Sequence, residues 1–301
     1  LCVLAIASCS PTQKTQVELP QSHTPGANEK ALLWQISGKA LTQPSYLYGT
    51  IHMIDQKDFF LTDSTLAAFG RMEKVVFEID MQEMNDPTVL FSLLSQAMMA
   101  DGKTLKDLLN ANDYELVNQY FNQMGLPMYL LERVKPLFLS MFVSSDFSGE
   151  GLQNGEVKSY EMEFMKMAED QGKAAGGLET LAFQLSVFDS IPYTEQANRL
   201  VDAIKLGDQS AEAFEEMIRL YKAQDIVAMQ KLFSEEEGTA SSNFESVLLT
   251  KRNRNWIPIM EEMMQSKPTF FAVGAGHLGG KDGVIALMRK AGYQMQPILA
   301  N

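Results

Sequence analysis

Two copies of the pattern Gly-x-x-His, far apart in the chain, are the residues best suited to do chemistry. Residues 49–52 (Gly-Thr-Ile-His) follow one apolar run, and residues 274–277 (Gly-Ala-Gly-His) follow another. The chain has three histidines, so two of them, His52 and His277, share the same setting. Neutral imidazole is a common ligand of divalent metals. We therefore expect these two side chains to meet in one site.

A carboxylate lies inside a third apolar run. Glu78 is surrounded by residues 74–80 (Lys-Val-Val-Phe-Glu-Ile-Asp), which predict a strand covered on both faces. A buried carboxylate is costly unless it is paired, protonated or bound to a cation. With His52 and His277, Glu78 would complete a site for Mn, Co or Zn, which would activate water and polarise a carbonyl. Glu78 could instead be the base that takes the water proton.

Four further residues are assigned supporting roles. Gly49 and Gly274 predict tight turns that let the backbone approach a ligand closely. Arg252 and Asn253 lie in a basic stretch of a long predicted helix. They either belong to a solvated face or point at the site, where they would orient substrate or stabilise developing negative charge.

The elements that must position these residues predict an α/β (α+β) fold. Strand and helix patterns alternate at both ends of the chain, which predicts a mixed β-sheet built from both ends with a large helical insert at about 86–266. Residues 30–301 are expected to form one domain. The main strands are expected at 31–37, 46–51, 74–80, 269–273 and 294–299, and a short one is possible at 173–178. Ligands of such sheets bind at the carboxyl ends of strands, where the site residues are expected.

The N-terminal residues predict export and a lipid anchor. Residues 1–9 look like the end of a signal segment, and residues 6–9 (Ile-Ala-Ser-Cys) resemble the lipobox of bacterial lipoproteins, with Cys9 as the lipidated residue. The alternative is an ordinary secretory signal. Residues 10–29 are polar and predict a flexible tether. These features predict an outer-membrane protein that faces the periplasm and contacts the membrane through its lipid alone.

Composition excludes several classes of function. The net charge of -13 opposes binding to the phosphates of nucleic acid. Both cysteines precede residue 10, so the predicted domain has no disulfide, thiolate metal site or cysteine nucleophile. Any metal must therefore be held by His, Asp, Glu or backbone oxygen.

From about residue 33 to 297 the chain resembles the TraB/GumN/Tiki family. The matching positions are residues 47–52, Glu78, residues 177–180 with Gln184, Arg252 with Asn253, residues 272–278, Gly280 and residues 292–293. The resemblance implies a mixed sheet related to those of erythromycin esterases and haem-binding ChaN-like proteins. For Tiki members it also implies metal-dependent cleavage of peptides by the paired histidines and the glutamate. Many members carry Asp where this chain has Glu161, which leaves the role of Glu161 open, and Glu179 is expected to be structural.

These observations together predict a lipid-anchored, metal-dependent hydrolase that acts on a peptide or protein. Two alternatives stay open at this point. One is a metal-independent, esterase-like hydrolase of the same superfamily in which one histidine is the general base. The other is a binding protein for haem or another ligand, without turnover.

Overall fold

The computed structural model describes residues 23–143, 155–236 and 246–299. Its strands are β1 Leu33–Ser37, β2 Ser45–Thr50, β3 Ile54–Asp55, β4 Lys74–Ile79, β5 Val157–Lys158, β6 Ala174–Glu179, β7 Thr269–Gly274 and β8 Gln294–Pro297. Its α-helices are α1 Asp63–Arg71, α2 Pro87–Gln96, α3 Leu105–Leu108, α4 Ala111–Gln123, α5 Met128–Leu131, α6 Pro136–Val143, α7 Tyr160–Asp170, α8 Leu181–Val187, α9 Tyr193–Leu206, α10 Asp208–Lys222, α11 Ile226–Glu236, α12 Lys251–Ser266 and α13 Val284–Lys290.

Six strands form one mixed sheet in the order β6-β4-β7-β2-β1-β8. Strands β6, β4, β7 and β2 are parallel, whereas β1 runs antiparallel to both β2 and β8. This confirms the predicted α/β fold with a mixed sheet from both ends of the chain. The insert is not helical throughout, because it contributes β6, which is the edge strand of the sheet beside β4. Its Ala-Ala-Gly-Gly-Leu-Glu sequence is too short and too rich in glycine for a strong strand pattern.

The parallel strands form because their apolar runs are covered on both faces. All six residues of β2 are buried, and β4 and β7 are buried through most of their lengths. Helix α7 packs on this sheet through Phe164, whose ring lies 5.1 Å from that of Phe270 on β7 and 5.3 Å from that of Tyr48 on β2. This packing holds the first turn of α7 near the end of β2.

The helices of the insert have a core of their own. Its buried members come mainly from α3, α4, α5, α6 and α9 and include Leu105, Val117, Phe121, Leu139 and Leu200. No helix among the described residues is both long enough and apolar enough to cross a bilayer.

The last part of the predicted tether is attached to the domain. Arg289 on α13 donates to Glu29 Oε1 at 2.6 Å and to the carbonyl oxygen of His23 at 3.4 Å. Residues 23–29 therefore lie against the domain. The remainder of the tether, together with Cys9, lies outside the described residues.

Candidate active site

The candidate site lies at the carboxyl ends of four neighbouring parallel strands. In sheet order, the residues at these ends are Glu179 on β6, Glu78 on β4, His277 after β7 and His52 after β2. The register sets this arrangement, because Thr50 at the end of β2 pairs with Gly274 at the end of β7. Both Gly-x-x-His motifs therefore leave the sheet at the same edge, where α/β proteins bind their ligands.

The two motif glycines are strand residues and not the turns that the sequence predicts. Gly49 lies in β2, and a Cβ there would be 2.9 Å from Leu278 Cδ2 and 3.2 Å from the Cα of Ala275. Gly274 ends β7, and a Cβ there would be 3.2 Å from Glu78 Oε1. Neither glycine has a positive φ. Glycine suits both positions because a side chain at either would require neighbouring atoms to shift.

Glu78 is a buried carboxylate with several donors. Its Oε2 accepts from Arg252 Nη2 at 2.6 Å and from Gln184 Nε2 at 3.1 Å, and its Oε1 accepts from the Gly274 N–H at 2.8 Å. Burial acts to raise the pKa of Glu78, but His277, Arg252 and the nearby His52 outweigh burial and hold it at about 2. The guanidinium compensates the buried charge, so burial of Glu78 does not by itself require a metal.

Arg252, in the first turn of α12, joins Glu78 to Glu179. Its Nη2 lies 2.6 Å from an oxygen of each carboxylate, and its Nη1 donates to the Leu248 carbonyl at 3.0 Å. Trp256 Nε1 donates to the second oxygen of Glu179 at 2.9 Å. The donors of Arg252 are therefore engaged inside the protein, which favours a positioning role over the predicted contact with substrate. Two carboxylates around one guanidinium also leave surplus negative charge, and burial raises the pKa of Glu179.

Asn253 determines the tautomer of His277. The Asn253 Nδ2 group donates to the Asp282 carbonyl at 2.9 Å, so its Oδ1 faces His277 Nδ1 at 2.6 Å and accepts the Nδ1 proton. The lone pair of His277 is then on Nε2, which accepts from Arg252 Nη1 at 3.2 Å and lies 3.6 Å from Glu78 Oε1. Burial lowers the pKa of His277 to about 4, so the imidazole is neutral at pH 7.

His52 has different surroundings. Its side chain is 74% exposed, and its Nδ1 lies 3.2 Å from Glu161 Oε1. Thr50 Oγ1 donates to the same oxygen at 2.7 Å. The hydrogen bond to Glu161 raises the pKa of His52 to about 9, so the ring is protonated at pH 7, and a cation would bind its Nε2 only in exchange for a proton. The charge of His52 also acts to lower the pKa values of Glu78 and His277, so its ring belongs to the same electrostatic environment.

We call Glu78, Arg252, Asn253 and His277 the buried half of the site, and Thr50, His52 and Glu161 the exposed half. The structure joins the buried half through hydrogen bonds and ion pairs, and it places the exposed half at the adjacent strand end. The sequence did not predict the contacts of Glu161 with His52 or of Gln184 with Glu78. The available signal for Gln184 is its place one turn into the helix that follows the Glu179 strand.

Two donor atoms of the site lie close enough to contact one divalent cation. His277 Nε2 and Glu78 Oε1 are 3.6 Å apart, a separation that two ligand bonds of about 2 Å to one ion can span. The surplus negative charge around Arg252 also favours a cation. Among the described residues, however, no three His, Cys, Asp or Glu side chains are grouped closely enough to hold a metal. The three-residue set with His52 therefore stays a prediction.

The fold and the site define an α/β protein whose parallel strand ends carry paired histidines beside a buried glutamate. Residues 32–297 match the model of the TraB/PrgY/gumN family, so the chain belongs to this family.

Several animal proteins are similar to this chain. It is 23% identical to Metalloprotease TIKI1 of Danio rerio, over 92% of the chain and 65% of the relative. It is also 23% identical to Metalloprotease TIKI1 of Homo sapiens, over 88% of the chain and 61% of the relative. The chain thus spans less than two thirds of the length of either protein. No solved structure matches the chain significantly.

Proposed function

We propose that the chain is a metal-dependent hydrolase that cleaves peptide bonds, with a divalent ion held by Glu78, His277 and His52. The observation that carries the proposal is the placement of a neutral His277 Nε2 3.6 Å from an ionised Glu78 oxygen, at the strand ends to which the motif of His52 also leads. Such an ion, when bound, would lower the pKa of a water molecule and polarise the carbonyl of the substrate.

The surrounding residues support a division of roles. Glu78, with a pKa of about 2, suits a ligand better than a general base, because a base needs a pKa nearer the working pH. Asn253 holds the His277 ring so that Nε2 faces the site. Arg252 fixes the second oxygen of Glu78 and leaves Oε1 towards His277. Arg252 and Asn253 are thus positioning residues in this proposal.

The relatives support the reaction class through their name, metalloprotease, and support no particular substrate. A peptide or protein substrate is therefore part of the proposal. The metal is Mn, Co or Zn, since imidazole and carboxylate ligands suit all three. The relatives named above are animal proteins and lend no support to a bacterial envelope location. Lipidation at Cys9 stays a prediction, which mass spectrometry of the N-terminal peptide from the native host would test.

A quenched-fluorescent peptide library tests the reaction. The protein is dialysed against a chelator and assayed alone and with Mn²⁺, Co²⁺ or Zn²⁺, beside Glu78→Gln and His277→Ala. The control is Arg254→Ala, which removes an exposed arginine of α12 that pairs with Asp282. We expect one metal to restore cleavage in the wild type and the control, and in neither site variant.

Two other results would each replace the proposal with one alternative. Chelator-resistant cleavage that is lost in His277→Ala would indicate a metal-free hydrolase with histidine as the base. Absence of cleavage under every metal, with a Soret band on haem titration, would indicate a binding protein.

A further inference from the structure

We propose that Glu161 is a positioning residue that holds the imidazole of His52 in its working orientation. Its importance for turnover rests on the proposed function, whereas the contact itself does not. Glu161 holds His52 in the exposed half of the site, as Asn253 holds His277 in the buried half.

The contact geometry assigns one ring nitrogen to Glu161. A carboxylate oxygen accepts hydrogen bonds, so His52 Nδ1 carries the proton that points to Glu161 Oε1 at 3.2 Å. Nε2 is then the nitrogen that is left to face a ligand. In His277 the same division occurs, with Nδ1 bonded to Asn253 and Nε2 near Arg252 and Glu78. In both histidines a polar partner holds Nδ1, and Nε2 is the second ring nitrogen.

Glu161 is itself held on a rigid support. It lies in the first turn of α7, and its Oε2 accepts from the hydroxyl of the capping residue Ser159 at 3.1 Å. The adjacent Tyr160 is buried and donates to the Phe60 carbonyl at 2.9 Å. Oε1 of Glu161 also accepts from Thr50 at 2.7 Å, which ties the carboxylate to the end of β2. The carboxylate thus has a defined place, with its side chain only 14% exposed.

The exposed half needs such support more than the buried half does. Neighbouring side chains pack His277 in place, and the Trp256 ring lies 4.4 Å from the His277 ring. His52 is largely exposed, so its rotamer depends on the polar contact to Glu161. Loss of a group that orients a ligating histidine typically costs 10- to 100-fold in activity or metal affinity.

Three variants separate positioning from charge. Glu161→Ala removes the acceptor, whereas Glu161→Gln keeps an oxygen for Thr50 and His52 and turns its amide NH₂ towards Ser159. The control is Glu163→Gln, two residues along the same helix, where the carboxylate pairs with Lys158 at 2.7 Å. We expect kcat to fall about 10- to 100-fold in Glu161→Ala with a smaller change in KM, and to stay within about threefold of wild type in Glu161→Gln and in the control.

Imidazole ¹⁵N NMR of the full chain without metal gives a readout that is independent of turnover. The His52 Nδ1 signal, assigned with His52→Ala, should be that of a hydrogen-bonded N–H in wild type, Glu161→Gln and Glu163→Gln. In Glu161→Ala, the His52 Nδ1 signal should become that of a ring exposed to water. If cleavage is absent throughout while this signal moves as expected, the proposed function fails and the positioning contact stands.

Either of two results would overturn the proposal. An unchanged His52 signal in Glu161→Ala would mean that Glu161 does not hold the ring. Equal loss of kcat in Glu161→Gln and Glu161→Ala would mean that the charge of Glu161, and not its acceptor geometry, is what matters.

Discussion

The two Gly-x-x-His histidines share a motif and a strand edge, yet their surroundings are opposite. His277 is buried, neutral and held by Asn253 beside an arginine–glutamate cluster. His52 is exposed and held by Glu161, which raises its pKa. The motif and the parallel register place both residues at the edge of the sheet. The environment of each ring comes from a helix elsewhere in the chain, α12 for His277 and α7 for His52.

Because of this difference, substitutions in the two halves of the site should differ in how much they change the stability of the fold. The buried half consists of groups that cost free energy when they lose a partner, because an unpaired charge inside the protein is poorly solvated. His52 has a largely exposed side chain and can be altered with little effect on folding. Variants of His52 therefore report on function more directly than variants in the buried half.

The largest expected effect follows from removal of the arginine that joins the buried half. Arg252→Ala leaves Glu78 and Glu179 without their guanidinium and should lower the free energy of unfolding by about 3–5 kcal/mol. Arg254→Ala is the matched control, since Arg254 is an exposed, salt-bridged arginine on the same helix. We expect a change below about 1 kcal/mol there. Equal losses in the two variants, measured by urea unfolding, would refute the description of a buried ion-pair cluster.

The two histidines should respond to pH in opposite directions. The folded-state pKa of His277 is lowered to about 4, so between pH 4 and 6.5 the unfolded chain binds a proton that the folded chain does not. Stability should therefore rise over this window, by at most about 3 kcal/mol. The pKa of His52 is raised to about 9, so its contribution is complete below pH 6.5 and is lost as the pH rises through 9. Its exposure makes that contribution small.

Urea unfolding as a function of pH checks this contrast in the metal-free protein. His277→Gln should flatten the acid side of the stability profile and leave the alkaline side alone, and His52→Gln should do the reverse. Glu78 adds a further loss below pH 4.5, because its folded-state pKa is lowered to about 2. An acid slope that survives in His277→Gln between pH 5 and 6.5 would show that another group titrates there.

A smaller effect is expected where the two motifs touch. Gly49→Ala places a Cβ 2.9 Å from Leu278 and 3.2 Å from Ala275 of the other motif. Such overpacking should cost about 1–3 kcal/mol. Gly70→Ala on α1 is the control, because a Cβ there meets nothing within 4 Å and alanine favours the helix. If thermal unfolding shows that the two variants are equally stable, the two motifs are not tightly packed at Gly49.

The sequence predicted the strands of the site because their signals are local. The runs that became β2, β4 and β7 are apolar and end near glycine or an acidic residue, and the observed bounds lie within one residue of those expected. These features depend on neighbours along the chain and are therefore open to prediction.

The partners of the site residues could not be predicted, since they join positions far apart in sequence. Arg252 pairs with Glu78 across 174 residues, and His52 bonds Glu161 across 109. The sequence leaves a partner charge, protonation or a cation as explanations for buried Glu78, and tertiary packing supplies the partner charge, Arg252. The sequence also could not predict that His52 is exposed, because its motif is the same as that of buried His277.

Metal binding by the two histidine variants tests the central claim, that both halves serve one ion. His52→Ala removes an exposed side chain and should change the free energy of unfolding by less than about 0.5 kcal/mol. Calorimetric titration with Co²⁺ should nevertheless show at least about tenfold weaker binding in this variant than in wild type. His277→Ala should weaken binding similarly while also destabilising the fold. Binding of Co²⁺ to stable His52→Ala with the affinity of the wild type would contradict a shared metal site.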